Sequence, residues 1–394
     1  MKGGWALVIA LAAAQLVSWG SIYYSFSLFV VPMEAELGWS RTALDGALSA
    51  GLLLSGFAAY PVGAWIDRGG GRAVMSIGSA LAVVLLAAWS RVHDIGAFYA
   101  LWLGLGLALS ATLYEPAFAV LTRLHPQSYR TRITAMTLVG GFASTVFIPL
   151  TQFAIGAYGW RDALLLLALA NLVFCLPVHA LLLRDRADAP RRGGVVFDQH
   201  FRRALRHRAF WGLVVCIAAY YMGFAAITFH IIPLLEERHV ATATIVGAVA
   251  TFGPAQVAGR IALLALGRRA TAARAGGIAF ATFPVAVLIL LLFPTSIAAL
   301  FLFSVLYGAA NGVITVVRGT AVPELLWRES YGAINGALTL PQNLARAAAP
   351  YGAAVIWRAS GSYDTVLLAI LAGGIVAAAG YVYACRHGEA EAGR

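Results

Sequence analysis

The stretch Ala241–Leu266 reads ATATIVGAVATFGPAQVAGRIALLAL and carries a single charged residue, Arg260. A helix that crosses a bilayer needs roughly 20 apolar residues, so this stretch is long enough to span a membrane. A guanidinium group in hydrocarbon costs between about 3 and more than 10 kcal/mol, and proteins tolerate it mainly where it faces a cavity or a partner. Arg260 is therefore the leading candidate for a functional residue. The alternative is an arginine that extends along its helix to the cytoplasmic interface.

The rest of the chain shares this apolar character. Of its 394 residues, 61% are hydrophobic and 11% are charged, and the mean hydropathy is +0.80. Soluble domains contain far more charge, so the composition predicts a polytopic membrane protein in contact with a lipid bilayer. The formal net charge of +11 does not indicate a nucleic-acid partner, because the basic residues lie between the apolar runs instead of forming one basic face.

Apolar runs of membrane-spanning length recur along the chain. They lie at about 5–31, 43–66, 73–91, 95–124, 132–157, 162–183, 209–235, 241–267, 274–293, 297–325, 332–358 and 364–386. We therefore predict an all-α membrane protein with about twelve transmembrane helices. Most arginines fall in loops that are cytoplasmic if the N-terminus is inside, which predicts cytoplasmic termini in a bacterial-type inner (cytoplasmic) membrane.

A charged joint at residues 184–208 divides the chain. Its sequence, RDRADAPRRGGVVFDQHFRRALRHR, combines charge with proline and glycine, as linkers do. We predict an N-terminal six-helix bundle at 1–183, a cytoplasmic linker at 184–208 and a C-terminal six-helix bundle at 209–394. The basic end of the linker is suited to anionic lipid, but a solvated hinge that enforces topology is the favoured interpretation.

The two halves resemble each other at a shift of 202 residues. Gly159 and Asp162 then coincide with Gly361 and Asp364, and further matches share the same offset. A common offset indicates a duplicated six-helix unit. Paired repeats with a substrate site between them are typical of secondary transporters. We expect Asp162 and Asp364 to act as N-caps of the sixth and twelfth helices.

The loop after the second predicted helix reads GAWIDRGGGR, from Gly63 to Arg72. It resembles the signature loop of the major facilitator superfamily in its glycine, its Asp67-Arg68 pair and its closing basic residue. The resemblance implies the major facilitator fold, two pseudo-symmetric six-helix bundles that alternate access by a rocker-switch motion. It also implies a cytoplasmic conformational latch formed by Gly63, Asp67, Arg68 and Arg72. A plain topology loop is the alternative, and Ala73 stands where the family has a further basic residue.

Three shorter motifs resemble the bacterial branch near monocarboxylate transporters and oxalate/formate-type exchangers. They are GWSR at 38–41, YEPA at 114–117 and QVAGR at 256–260. The resemblance implies a secondary active transporter of a small organic anion of the carboxylate type. Monocarboxylate carriers have an acid where this chain has Gln256, so a carboxylate for proton coupling is missing at that position.

In this superfamily the first, fourth, seventh and tenth helices line the pathway. Gln15, Trp19 and Tyr23 share one face of the first helix, and Trp19 corresponds to Tyr221 at the 202-residue shift. Plain helix packing is the alternative for these rings. The candidate substrate-binding residues are Arg260, Gln256, Arg346, Trp19, Tyr23, Tyr221, Asn311 and Arg318.

Charge inside the predicted helices favours an anionic substrate. Arg260, Arg318 and Arg346 lie deep in their helices, and Glu115 is the one acid predicted at similar depth. An excess of positive charge in a low-dielectric cavity attracts an anion. The alternative is that one or more of these arginines pair with Asp45, Glu324 or backbone carbonyls. Glu115 is the candidate for proton coupling, with a structural ion pair or a protonated carboxyl as the alternative. A proton is the candidate coupling ion.

Other functions are less well supported by the sequence. An exporter of amphipathic drugs or metabolites would have the same fold, and a transport-dead sensor or a membrane enzyme is a more distant alternative. The eight histidines are scattered, and no nucleophile motif or phosphate loop is present, so we predict no catalytic residue, metal site or cofactor. We expect a monomer that is not an enzyme.

Overall fold

The computed structural model describes residues 3–183 and 194–388. These residues form helices and short connections and contain no β-strand. The helices of the first half are α1 (Gly3–Ser18), α2 (Phe26–Leu37), α3 (Arg41–Trp65), α4 (Gly71–Trp89), α5 (Ile95–Thr112), α6 (Tyr114–Leu124), α7 (Tyr129–Gly140), α8 (Ala143–Tyr158) and α9 (Trp160–Ala170). Those that follow are α10 (Gly194–Arg206), α11 (Arg208–Glu237), α12 (Thr242–Ala250), α13 (Phe252–Leu266), α14 (Ala272–Leu292), α15 (Ile297–Leu325), α16 (Tyr331–Ser360) and α17 (Tyr363–His387).

Ten stretches of the described chain are long and apolar enough to cross a membrane. The longest of them, Arg41–Trp89, contains both α3 and α4. The 30-residue helix α16 is also long enough to span a bilayer but is more polar than these stretches. The all-α membrane fold predicted from the sequence is confirmed, and the expected number of about twelve helices agrees with these lengths.

The chain divides into two compact units. The first comprises Met1–Asp198 together with Glu329–Leu340, and the second comprises Gln199–Arg328 together with Pro341–Arg394. The start of α16 thus belongs to the first unit, although it comes late in the sequence. Part of the predicted linker, residues 184–193, lies outside the described residues, and the bundle boundaries predicted from the sequence remain a prediction.

Several predicted transmembrane helices are interrupted. A turn of π-helix at Trp19–Tyr24 separates α1 from α2, and an extended residue, Leu113, separates α5 from α6. The break at Leu113 has a local cause, because Pro116 has no N–H to donate to the carbonyl of Thr112, four residues earlier. Interrupted helices in transporters are found where a cavity or a binding site needs irregular backbone.

One pair of glycines supports the internal repeat. Gly159 and Gly361, which coincide at the 202-residue shift, both have positive φ angles, of 84° and 70°. Each precedes the last membrane-spanning stretch of its half, Trp160–Leu182 or Tyr363–His387. The predicted N-caps at this point are wrong. Asp162 lies in the first turn of α9, and the residue that caps α17 is Ser362, whose hydroxyl accepts from the backbone N–H of Asp364.

In the first unit an ion pair joins three helix ends. Arg161 at the start of α9 lies 2.8 Å from a carboxylate oxygen of Glu36 in α2. The same guanidinium donates to the carbonyl oxygen of Ser90, at the end of α4, over 2.7 Å. Arg161 therefore ties the ends of α2, α4 and α9 together.

The second unit repeats this connection with the charges exchanged. Arg238, which follows α11, lies 2.7 Å from a carboxylate oxygen of Asp364 in α17 and donates to the carbonyl oxygen of Leu290 in α14 over 2.8 Å. At the 202-residue shift Arg238 corresponds to Glu36. The two units thus use the same arrangement of helix ends with opposite polarity.

Candidate functional site

Arg260 is buried in α13, with 3% of its surface exposed. Its Nε and Nη1 atoms have no hydrogen-bond partner among the described residues. A buried charge without a partner is strongly unfavourable, so such a group is retained where an anion can meet it. The side chain does not reach an exposed surface, so its burial gives no support to the alternative interpretation of an arginine extended to the interface.

The backbone around Arg260 is held by close contact between α13 and α15. A Cβ atom placed on Gly259 would lie 2.5 Å from the carbonyl oxygen of Ala309, and one placed on Gly312 would lie 2.2 Å from that of Gln256. Only glycine permits such contact, as in other membrane helix pairs with small residues at the interface. This contact fixes the backbone of α13 at Gln256 and Gly259, in the helical turn that leads to Arg260.

Arg318, in α15, differs from Arg260 in having a side-chain partner. Its Nε donates a hydrogen bond to Oε1 of Gln342 in α16. The arginine is 5% exposed and Gln342 is 4% exposed. Arg318 therefore contributes to joining α15 and α16 inside the second unit.

Two further predicted site residues, Arg346 and Tyr221, lie against each other. The guanidinium carbon of Arg346 is 5.0 Å from the ring centroid of Tyr221, within the range of a cation–π interaction. Beside them, the hydroxyl of Tyr220 donates to Oδ1 of Asn311 over 2.8 Å. The structure thus places Arg346 and Tyr221 in one contact and links Asn311 to the neighbouring ring, which joins α11, α15 and α16.

In the first unit the predicted aromatic residues form a cluster at the π-turn. The ring centroid of Trp19 lies 5.3 Å from that of Tyr23 and 5.2 Å from that of Tyr114 in α6. Tyr114 stacks on Phe118, with centroids 5.4 Å apart. π-turns inside α-helices are frequent at functional sites.

Glu115 lies in the first turn of α6, immediately after the break at Leu113. The N-terminus of a helix interacts favourably with a carboxylate, so the break provides Glu115 with a stabilising position inside the fourth predicted membrane helix. The side chain is partly buried. It directly follows Tyr114, a member of the aromatic cluster, in the sequence.

A buried glutamine, Gln15, which the sequence placed on the same helix face as Trp19 and Tyr23, completes this region. Nε2 of Gln15, which is 0% exposed, donates to the carbonyl oxygen of Thr112 over 2.6 Å. That carbonyl is the one that Pro116 cannot bond. Pro116 indicates that the carbonyl of Thr112 lacks its helical donor. The sequence does not show that Gln15 supplies one, because residues 15 and 112 are far apart along the chain.

The predicted latch residue Asp67 caps α16. Its two carboxylate oxygens accept the backbone N–H groups of Gly332 and Ala333, each over 2.9 Å. These donors belong to the first turn of α16, where the helix dipole favours a negative charge. Arg68 and Arg72, the other charged residues of the loop, are exposed.

Glycines bring α3 and α16 into backbone contact beside Asp67. A Cβ on Gly63 would lie 1.9 Å from the carbonyl oxygen of Gly332, and one on Gly336 would lie 2.1 Å from that of Ala59. Each helix therefore contributes two small residues spaced four apart, the pattern of close membrane helix crossings. The sequence predicted a role for Gly63 and none for its partners on α16.

Arg123 is a further residue that the sequence did not single out. From the last turn of α6 its Nη1 donates to the carbonyl oxygens of Ile66 and Asp67, over 2.7 and 3.2 Å. The guanidinium also lies beside Gly69, which has a φ of 102°. Arg123 thus holds the loop backbone in place while the Asp67 carboxylate caps α16.

Comparison with known proteins agrees with these features. Residues 11–350 match the Major Facilitator Superfamily. Monocarboxylate transporter 13 of Bos taurus is 28% identical over 345 residues, which cover 82% of this chain and 76% of that protein. Monocarboxylate transporter 11 of Mus musculus is 34% identical over 180 residues, 43% of this chain and 38% of the relative's length. The chain therefore belongs to the Major Facilitator Superfamily.

A solved structure shows the same fold. The human organic anion transporter MFSD10 (TETRAN) superimposes with a TM-score of 0.72 at 17% identity, covering 96% of this chain and 98% of that one. At this identity the likeness establishes the fold alone. The chain is thus a multi-pass membrane protein of a transporter superfamily, as its signature loop predicted.

Proposed function

We propose that the chain is a secondary active transporter of a small organic anion, a carboxylate-type metabolite. It works by rocker-switch alternating access in an inner (cytoplasmic) membrane, with both termini in the cytoplasm. The observation that carries this proposal is Arg260, a buried guanidinium whose Nε and Nη1 have no partner among the described residues. A bound carboxylate supplies both the missing charge and the missing hydrogen-bond acceptors.

Further support comes from the relatives. Two proteins similar in sequence are named monocarboxylate transporters, and one with the same fold is named an organic anion transporter. A single carboxylate compensates a single arginine, so Arg260 is the proposed anchor. Gln256, one turn away on the same face of α13, is the proposed neutral contact.

The other site residues have supporting roles in this proposal. Arg346 and Tyr221 form a cation–π pair that contributes positive charge and an apolar surface. Asn311 and Arg318 are each engaged by a side chain, which orients them for a substrate. Trp19 and Tyr23, whose rings contact each other in the first unit, are proposed as aromatic substrate-binding residues.

Proton coupling is assigned to Glu115. It is an acid at a helix break, and the N-terminal turn of α6 positions it beside Tyr114. A carboxylate that takes up and releases a proton during the cycle can link substrate movement to a proton gradient. The latch is assigned to Gly63, Asp67, Arg68 and Arg72, in which the contact between Asp67 and the start of α16 is made and broken as access alternates.

Uptake into proteoliposomes tests the proposal. Wild-type protein is expected to accumulate radiolabelled butyrate, and Arg260→Gln is expected to lose most of this uptake. Arg274→Gln is the matched control, because it removes an exposed arginine from the same half. Equal uptake by wild type and Arg260→Gln would contradict the proposal. Stronger binding of hydrophobic cations than of carboxylates, unaffected by Arg260→Gln, would instead indicate an exporter of amphipathic compounds.

A further inference from the structure

Two buried polar atoms of the first unit lie on one helix face without a partner. Oε1 of Gln15 and Nε1 of Trp19 form no hydrogen bond with any described residue. The first is an acceptor and the second is a donor. Residues four apart share a helix face, so the two atoms belong to the same side of α1 and the π-turn that follows it.

The orientation of the Gln15 amide is fixed by its other contact. Its Nε2 donates to the carbonyl oxygen of Thr112, which can only accept, so the amide cannot be turned around. This carbonyl is available because Pro116 lacks an N–H. The Thr112 carbonyl, at the break after α5, therefore binds the amide nitrogen of Gln15, and the amide oxygen is left for another donor.

The surroundings of Gln15 are those of a ligand site. The Trp19 ring contacts Tyr114 at 5.2 Å between centroids. A Cβ on Gly140, the last residue of α7, would lie 2.7 Å from the Tyr114 hydroxyl and 3.3 Å from Cβ of Gln15. The π-turn, the break at Leu113 and the end of α7 thus meet at one place. All three interruptions lie inside stretches long and apolar enough to cross a membrane. Irregular backbone within such stretches is typical of a binding site in a transporter.

The chemistry of the two atoms selects one kind of ligand group. A hydroxyl donates its proton to Oε1 of Gln15 and accepts the N–H of Trp19. A carboxylate has no proton to donate and is repelled by the amide oxygen. We propose that Gln15 and Trp19 bind a hydroxyl group of the transported molecule, so that hydroxylated carboxylates are preferred to unsubstituted ones. This inference rests on the proposed function, because it assigns a hydroxyl-binding subsite to a transporter of organic anions.

Gln15 and Trp19 differ in their exposure. Gln15 is 0% exposed whereas Trp19 is partly exposed, so a ligand reaches the amide oxygen when a covering side chain moves. A water molecule bonded to both atoms is the competing occupant. Trp102 provides a comparison, since its Nε1 also has no described partner but its ring is 0% exposed and packs against Phe26 and Trp89.

Competition measurements test the inference. Radiolabelled butyrate uptake into proteoliposomes is inhibited with unlabelled butyrate and with each positional isomer of hydroxybutyrate. In wild type, at least one isomer is expected to compete roughly tenfold better than butyrate, because a missing hydroxyl leaves two buried groups unpaired. Trp19→Phe removes the N–H and keeps a ring, so it is expected to bring this ratio close to one. Trp102→Phe, the matched control, is expected to leave the ratio unchanged.

Gln15→Leu provides a second variant, which is also expected to abolish the preference. If wild type shows no preference for any hydroxybutyrate, or if both Trp19→Phe and Gln15→Leu retain it, the subsite holds only water and the inference is overturned. Butyrate uptake that still requires Arg260 would then leave the proposed function intact. If neither butyrate nor any hydroxybutyrate is taken up, the proposed function fails and this inference fails with it.

Discussion

The carboxylate of Asp67 accepts the backbone N–H of Gly332 over 2.9 Å, although the two residues are 265 positions apart in the sequence. A second bond from Ala333 makes this a two-point cap on the first turn of α16. The contact connects the signature loop after α3 to the first turn of α16. It also explains why this loop carries an acid at this position.

Removing the charge at this cap is expected to weaken it. Asp67→Asn keeps one acceptor oxygen and loses the second, together with the favourable interaction with the helix dipole. We expect a loss of about 1–2 kcal/mol of stability, measured as a lower thermal unfolding temperature of the purified protein. Asp94→Asn is the control, because Asp94 caps α5 with a single exposed hydrogen bond. An equal effect of the two substitutions would contradict the special role of Asp67.

The glycine crossing of α3 and α16 predicts a severe steric effect. Gly336→Val would place a side chain 2.1 Å from the carbonyl oxygen of Ala59, so the helices must separate or the protein must misfold. We expect little folded protein in the membrane, measured by fluorescence-detected size exclusion. Gly352→Val in the same helix is the matched control, since a Cβ there has nothing within 4 Å. Normal folding of Gly336→Val would contradict the close backbone contact between α3 and α16.

Replacing Arg161 is expected to lower the stability of the protein more than replacing its ion-pair partner, Glu36. Arg161→Met removes the salt bridge to Glu36 and the hydrogen bonds to the carbonyls of Ser90 and Val92. Glu36→Gln keeps those carbonyl bonds. Because the pair is partly exposed, the Coulombic part is screened and contributes about 0.2–1 kcal/mol. Thermal unfolding should therefore be lowered more by Arg161→Met, and the opposite order would contradict this account.

Replacing Glu115 is expected to reduce uptake driven by a pH gradient while leaving exchange without a gradient intact. Glu115→Gln removes the titratable group and keeps the shape of the side chain, so uptake driven by a pH gradient is expected to fall about tenfold or more. Exchange of butyrate across the membrane without a gradient is expected to continue. Asp45→Asn, near the start of α3, serves as the control. Gradient-driven uptake that survives in Glu115→Gln would remove this residue from the coupling mechanism.

The features that depend on local sequence pattern could be predicted from the sequence. Hydropathy placed the membrane helices, and the signature loop around Asp67 indicated the superfamily to which the chain belongs. An arginine within an apolar run was sufficient to single out Arg260, and the structure shows it buried.

Contacts between distant segments could not be predicted in this way. The bond from Gln15 to Thr112, the loop support from Arg123 and the crossing at Gly336 each join residues far apart in sequence. The N-cap prediction failed at Asp364 for a local reason, because Ser362 stands two residues earlier and takes the cap, which leaves Asp364 to pair with Arg238.

Direct binding to purified protein tests the central claim most closely. Titration calorimetry with butyrate should give measurable heat with wild type, and Arg260→Gln should bind about 10- to 100-fold more weakly, since a charge-assisted hydrogen bond contributes about 1.5–3 kcal/mol. Arg274→Gln should bind as wild type does. The same affinity for butyrate in wild type and Arg260→Gln would contradict the assignment of Arg260 as the anion anchor.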